Sequence, residues 1–417
     1  MAGRVQAPAS RAGDSTFRSR HGRHGVLKSA VRSAISFPAA VSVGGIRLLK
    51  NWRFWLGLVV SGGLLWWFFS DIDLEAMVDG FRMADYGVLL WWIVPLSVSY
   101  IGRIWRWKLL LDSIHPVSFA NAASGTMIGF MANGVLPLRA GELIRPLVVS
   151  KNTGYKYSSA LATVIFVRIL DGLVIMGIFI LVVFLIPFGG MLKTGLAIGV
   201  GLVYVLGCVA IVVLYYRREA TARLLSLPAR LFGVKAREKV REFFIQFGDG
   251  LHIFNHKGRL WGAIGLSIGI WSLAALSYVP IIEAMPFARA LPPAGFDVVI
   301  PWYTSLVTMA YVCLGVVFPS APGFIGIFES FGALGLLTAA PAIGALYGET
   351  AAKGMAGAFA VLLHVTQVVP YILIGAVFLV REGLSLGELS RRGRKREAEV
   401  EDGGLAAVEE DTPDGET

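Results

Sequence analysis

Charge is scarce in this sequence: 16% of its 417 residues are Asp, Glu, Lys or Arg, against 55% hydrophobic residues and a mean hydropathy of +0.66. That balance excludes a water-soluble domain, which could not hide so much apolar surface in a core of this size. Cysteine is scarcer still. Cys208 and Cys313 both lie in apolar stretches, so a disulfide framework is excluded and both read as packing residues. The chain carries no GxxxxGK[ST] loop, no HExxH and no paired-Cys spacing, so no cofactor and no metal are expected. His252 and His256, four apart, lack a third ligand and read as surface residues. No basic, apolar, small-residue cleavage pattern precedes the first long apolar run, so residues 1–50 read as a retained cytoplasmic arm.

Apolar length is what the chain has in abundance. Runs at 54–69, 86–102, 158–187, 195–216, 260–284 and 352–380 approach or exceed the roughly 20 residues a helix needs to cross a bilayer core. The expected class is therefore an all-α polytopic membrane protein with about six full spans. Net charge is +10, but the basic residues cluster beside spans, in the arm and in the stretch 217–259, with no nucleic-acid module among them. Nucleic acid is not an expected partner; membrane lipids are. The positive-inside bias puts both termini, the RIWRWK segment at 103–108 and the central loop in the cytoplasm, with the acidic connector before residue 86 outside. The organisation expected is a disordered arm (1–50), a first membrane half (51–216), a basic loop with an amphipathic or packing helix around Val240–Phe254 (217–259), a second half (260–381) and a disordered tail (382–417).

Two further apolar segments, 118–136 and 298–342, do not fit as simple spans. Three full crossings between 108 and 217 would leave the chain on the wrong side, so one segment must dip in and return. The stretch 118–157 is the natural choice, since Pro137 and Gly141 interrupt it. The second half repeats the punctuation: GVLPLRAG at 134–141 and GVVFPSAPGFIG at 315–326 both place proline four residues before glycine, Pro137 to Gly141 and Pro319 to Gly323, with Pro322 adding another break. Interrupted apolar segments at corresponding places in two halves are the pattern of inverted-repeat transporters, so two re-entrant hairpins are expected, entering from opposite faces.

An ionisable side chain at bilayer depth costs about 2.5–3.5 kcal/mol on insertion scales, so it should face a cavity or a partner. Arg139, Glu142 and Arg145 sit on the first hairpin beside Asn133, Arg168 and Asp171 lie in the span 158–187, and Glu329 follows the second break. Arg168 and Asp171 are three apart and can pair on a helix face. Two arginines sharing Glu142 leave surplus positive charge, and planar guanidinium donors match phosphate. New helices starting after Gly141 and after Gly323 would point free N–H groups at the same anion, with Gly326 permitting close approach. An ion-pair network that only locks helices together is the competing reading, and for His364 and Gln367 a packing role competes with proton handling.

NGVLPLRAGELIR, VIFVRILDGL and PSAPGFIGIFE, in this order, resemble the transmembrane domain of the lysylphosphatidylglycerol synthases and its stand-alone, flippase-like relatives, over roughly residues 50 to 382. The resemblance implies lipid translocation between leaflets of a bacterial inner membrane. It also implies that the soluble aminoacyltransferase domain of the full-length synthases is missing, because the chain ends 37 residues after the last span. The expected function is therefore a non-enzymatic translocator of an anionic phospholipid or polyisoprenyl-phosphate lipid. A membrane-embedded lipid-modifying transferase and a non-catalytic scaffold of an envelope-lipid pathway stay open beside it.

Overall fold

The structure, a computed structural model, describes residues 72–136, 139–185, 256–318 and 321–384, with scattered positions at 59–70 and 202–245. The arm, most of the spans 54–69 and 195–216, the helix expected around 240–254, Pro137, Pro319 and the tail after 384 lie outside the described residues. Every regular element among those described is helical, as the apolar runs require. In chain order they are α1 (Leu74–Met83), α2 (Tyr86–Leu111), α3 (Phe119–Val135), α4 (Gly141–Thr153), α5 (Tyr157–Leu185), α6 (Arg218–Leu225), α7 (Lys257–Leu276), α8 (Val279–Glu283), α9 (Thr304–Val317), α10 (Ile327–Ala339), α11 (Ala342–Tyr347) and α12 (Glu349–Arg381). Side-chain caps fix several starts: Asp73 accepts from the Ala76 amide at 3.0 Å, Asp85 from Gly87 at 3.0 Å and Ser118 from Asn121 at 3.2 Å.

Among the described residues five stretches are long and apolar enough to cross a membrane: Tyr86–Leu111, Tyr157–Val182, Lys257–Glu283, Pro322–Ala339 and Glu349–Arg381. The fourth is interrupted by Gly323 (φ 74°) and Gly326 (φ 86°), which leaves only α10 as regular helix. α3 and α4, and likewise α9 and α10, fold back on each other. A Cβ added at Gly125 would stand 2.9 Å from Val149, and one at Gly129 would stand 3.0 Å from Arg145 Cβ, so α3 and α4 run antiparallel. Gly315 against Phe331 (2.6 Å) and Gly335 against Thr308 (2.8 Å) show the same for α9 and α10. The four limbs have 17, 13, 14 and 13 residues. At 1.5 Å per residue they reach about 20–26 Å, short of the roughly 30 Å hydrocarbon core.

α12, 33 residues and about 50 Å long, aligns the two hairpins. Its C-terminal half runs along the first: Glu382 accepts from Ser124 at 2.5 Å and from Asn152 at 2.8 Å at the open end, Gly375 packs on Met127 and Met131, and Tyr371 and Ile372 reach Gly134 near the tip. Its N-terminal half runs along the second, with His364 at the tip and Ala360 against Gly332 further along. The hairpins therefore lie end to end along one helix, and their tips meet near its midpoint. A Cβ at Gly323 would sit 3.2 Å from the Gly134 carbonyl.

The breaks differ in detail from the expectation. Gly141 is already the first residue of α4; the left-handed residue of the first tip is Arg139 (φ 54°), matched in the second by Phe324 (φ 64°). Bulky side chains in that region are strained positions held by their surroundings. Gly141 is needed for close approach instead, because a methyl there would run into the Gly129 carbonyl and lie 2.6 Å from Asn133 Oδ1. Gly141→Ala is expected to lower stability by about 1–3 kcal/mol through overpacking. Gly177→Ala, where a Cβ meets nothing within 4 Å, should hold or raise it; thermal unfolding of both variants in one detergent makes the comparison.

Candidate functional site

Where the tips meet, a cavity of about 170 Å³ opens between five helices and both breaks, lined by Phe130, Asn133, Arg139, Glu142, Arg168, Val316, Phe324 and Tyr371. It is smaller than the roughly 300–1,000 Å³ of drug-sized sites and suits a phosphate-sized group with a few waters. Four of the residues singled out in the sequence, Asn133, Arg139, Glu142 and Arg168, converge on it from three chain segments. Each is set by its element: Asn133 by the last turns of α3, Arg139 by the tip, Glu142 by the first turn of α4, and Arg168 by α5.

Arg168 hydrogen-bonds Glu142 Oε1, which also accepts from Asn133 Nδ2 at 3.0 Å. Glu142 Oε2 and Asn133 Oδ1 have no hydrogen-bond partner among the described residues. Arg139, the exposed member of the group, donates to the Val316 carbonyl and places its guanidinium 5.7 Å from the Phe324 ring centre, so it bridges the two tips. Arg145 does not line the cavity. It is 3% exposed, packs on Trp107 at 3.9 Å and leaves Nε and Nη2 without partners, directly behind Glu142.

Asp171 also lies behind the cavity, and its main partner differs from the one expected. Arg168 stands 3.5 Å from Asp171 Oδ2, whereas Arg106 reaches Oδ1 at 2.6 Å, with Trp271 Nε1 donating to the same oxygen at 2.9 Å and Ser267 accepting from Arg106 at 2.7 Å. Arg106 is 1% exposed. Arg103, one turn before it, packs its guanidinium 5.0 Å from the Trp271 ring centre. α2 continues through the RIWRWK segment to Leu111, and both arginines pack against Asp171 and Trp271 instead of standing free beside the span. A signal was present, since Arg103, Arg106 and Trp107 fall on one helical face beside an apolar stripe. Altogether five guanidinium groups, Arg103, Arg106, Arg139, Arg145 and Arg168, face two carboxylates, Glu142 and Asp171.

The second break is arranged differently from the anion cradle expected at Gly323 and Gly326. Glu329 Oε2 already accepts from the Gly326 amide at 2.8 Å, occupying the N-terminus of α10 with the chain's own carboxylate. Its other oxygen meets His364 Nδ1, whose Nε2 bonds the Gly323 carbonyl at 2.8 Å. Glu329 therefore belongs with His364, and among the described residues only Phe324 and Val316 represent the second hairpin in the cavity. Pro322 opens the short 3-10 turn before Phe324. No group of three or more His, Cys, Asp or Glu side chains placed to hold a metal occurs among the described residues.

These features define a class: a multi-pass helical membrane domain with two helix hairpins meeting tip to tip around a charged cavity. The family model described as Lysylphosphatidylglycerol synthase TM region matches residues 54–375, and the chain belongs to that family. A search of the curated proteins and a search of the solved structures each found no match. The family assignment and the apolar helices together make this a membrane protein of lipid-related context.

Proposed function

We propose that this protein translocates an anionic lipid, a phospholipid or polyisoprenyl phosphate, between the leaflets of a bacterial inner membrane, without chemical change to the lipid. One observation carries the reading: the tips of two hairpins too short to cross a bilayer meet at the midpoint of α12 around a cavity with surplus guanidinium charge. In a bilayer the two would be re-entrant from opposite faces, which is what end-to-end stacking along a spanning helix supports. A headgroup phosphate would bind Arg139 and Arg168 while the tails stay in hydrocarbon. Glu142 Oε2 and Asn133 Oδ1 would accept from headgroup donors. Arg106, Arg145 and Asp171, with the half-buried Arg103, form a layer behind the cavity that keeps the potential positive without touching the ligand.

Arg139 ties the tips together and is exposed, so its loss should harm transport more than folding. Arg139→Ala is expected to slow leaflet exchange of a labelled anionic lipid in proteoliposomes by about tenfold or more, the scale of one charge-assisted hydrogen bond. Arg381→Ala, at the exposed end of α12, should leave the rate unchanged. Equal effects of the two, at equal reconstitution, would refute the role given to Arg139.

A further inference from the structure

The contact between Glu329 and His364 does not follow from the charges of the cavity, and its hydrogen-bond accounting is informative. The Gly323 carbonyl can only accept, so His364 Nε2 must carry a hydrogen to bond it at 2.8 Å. In a neutral imidazole Nδ1 is then a bare lone pair. Yet Nδ1 faces Glu329 Oε1 at 2.5 Å, and an ionised carboxylate offers only lone pairs. The contact requires one further proton, held either on the imidazole or on the carboxyl group. We propose that His364 and Glu329 form a proton-binding site that latches the second hairpin tip, and that the proton is the ion coupled to lipid movement.

Among the described residues Glu329 is the ionisable side chain in contact with His364. From α10, Phe328 stacks on the imidazole with centroids 4.6 Å apart, and the tip contributes a carbonyl. α3 carries no ionisable side chain and α9 only Tyr311 and Cys313. Tyr347 is the one such group of α11 and Glu283 of α8, while on α1 Arg82 stands 3.8 Å from Asp79 beside an exposed Glu75. On α12 itself Tyr371, Lys353, Glu349 and Arg381 are seven, eleven, fifteen and seventeen residues away. Both groups of the pair are nearly enclosed, 7% exposed for His364 and 8% for Glu329.

With the proton present, one chain of bonds runs from the Gly326 amide through Glu329 and His364 to the Gly323 carbonyl, clamping both glycines of the break to α12. Without it, a nitrogen lone pair opposes a carboxylate oxygen and the clamp opens. The residue after Gly323 is Phe324, which lines the cavity and touches Arg139, so release of this proton reaches the cavity directly. The coupling to transport rests on the translocator reading; the proton site does not.

Glu329→Gln separates the two. Its amide oxygen can accept from Gly326 and its NH₂ can donate to Nδ1, which preserves both bonds with no proton to lose. Hydrogen exchange of the 321–330 segment, corrected for the chemical exchange rate, reads the latch without any lipid assay. In the full chain in lipid nanodiscs, wild-type protection is expected to fall about tenfold as pH rises, the scale of one lost hydrogen bond. Protection should be independent of pH in Glu329→Gln and in His364→Gln. A flat wild-type profile, or either variant keeping the wild-type dependence, would overturn the proton site. If the exchange data hold but lipid transport by Glu329→Gln keeps the pH dependence of the wild type, the coupling is wrong and the site stands.

Discussion

Arg106→Ala is expected to destabilise the protein by about 3–5 kcal/mol, the largest effect of any single change considered, because it strands a buried carboxylate. Asp171 is 3% exposed and takes its shortest bond from Arg106; without it the carboxylate would hold only the Trp271 indole and the longer contact to Arg168. Chemical or thermal unfolding in detergent measures the loss. The paired change Arg106→Met with Asp171→Leu removes both charges at similar volume and should recover most of the stability, since the desolvation of both ions disappears with their attraction. Failure of the pair to recover would assign the loss to the bonds with Ser267 and Trp271 instead of the stranded charge.

Arg168→Ala is expected to leave the fold and remove most of the transport. Its side chain is 41% exposed, so truncation opens the cavity more than it empties a core. It nevertheless spans the site, bonding Glu142 on one side and standing 3.5 Å from Asp171 on the other. A hydrogen bond to a charged group contributes about 1.5–3 kcal/mol, so exchange of an anionic lipid should slow by about 10- to 100-fold. Arg168→Lys keeps the charge but not the planar fork and should lie between the two. Exchange rates measured in proteoliposomes of equal protein content decide it, and a wild-type rate for Arg168→Ala would remove this residue from the site.

The breaks and the charges Arg139, Glu142 and Arg168 were legible in the sequence because their signals are local: interrupted apolar runs, and charges where hydrocarbon should be; Asn133 came from the family resemblance. What was not legible depended on distant contacts. Arg103 and Arg106 satisfy the rule that counts basic residues beside spans, and only the continuation of α2, with Asp171 sixty-five residues away, shows that they point inward. The spacing of Arg168 and Asp171 on one helix face suggested a pair, which forms at 3.5 Å, but spacing says nothing about the closer partner Arg106 on another helix. Gly141 looked like a turn residue; its reason is the Gly129 carbonyl across the hairpin. Glu329 matched Glu142 in its place after a break, and the structure gives it a different task through His364, thirty-five residues on.

The same division explains which parts of the charged layer hold the protein together and which face the ligand. Asp171 is buried against Trp271 and Arg145 against Trp107, where a charge is tolerated because Asp171 accepts from Arg106 and Trp271 and each guanidinium has an aromatic face or an anion. Arg139 and Arg168 are the members with access to the cavity. That separation of roles is why stability and transport are expected to fail independently in the variants above.

The most direct measurement is leaflet exchange in liposomes containing only the purified protein, with two labelled lipids of identical acyl chains, one with an anionic and one with a net-neutral headgroup. The account predicts faster exchange of the anionic lipid than in protein-free vesicles and a smaller acceleration of the neutral one. Exchange no faster than in empty vesicles for a panel of phospholipids and polyisoprenyl phosphates, or equal acceleration of both lipids, would contradict it.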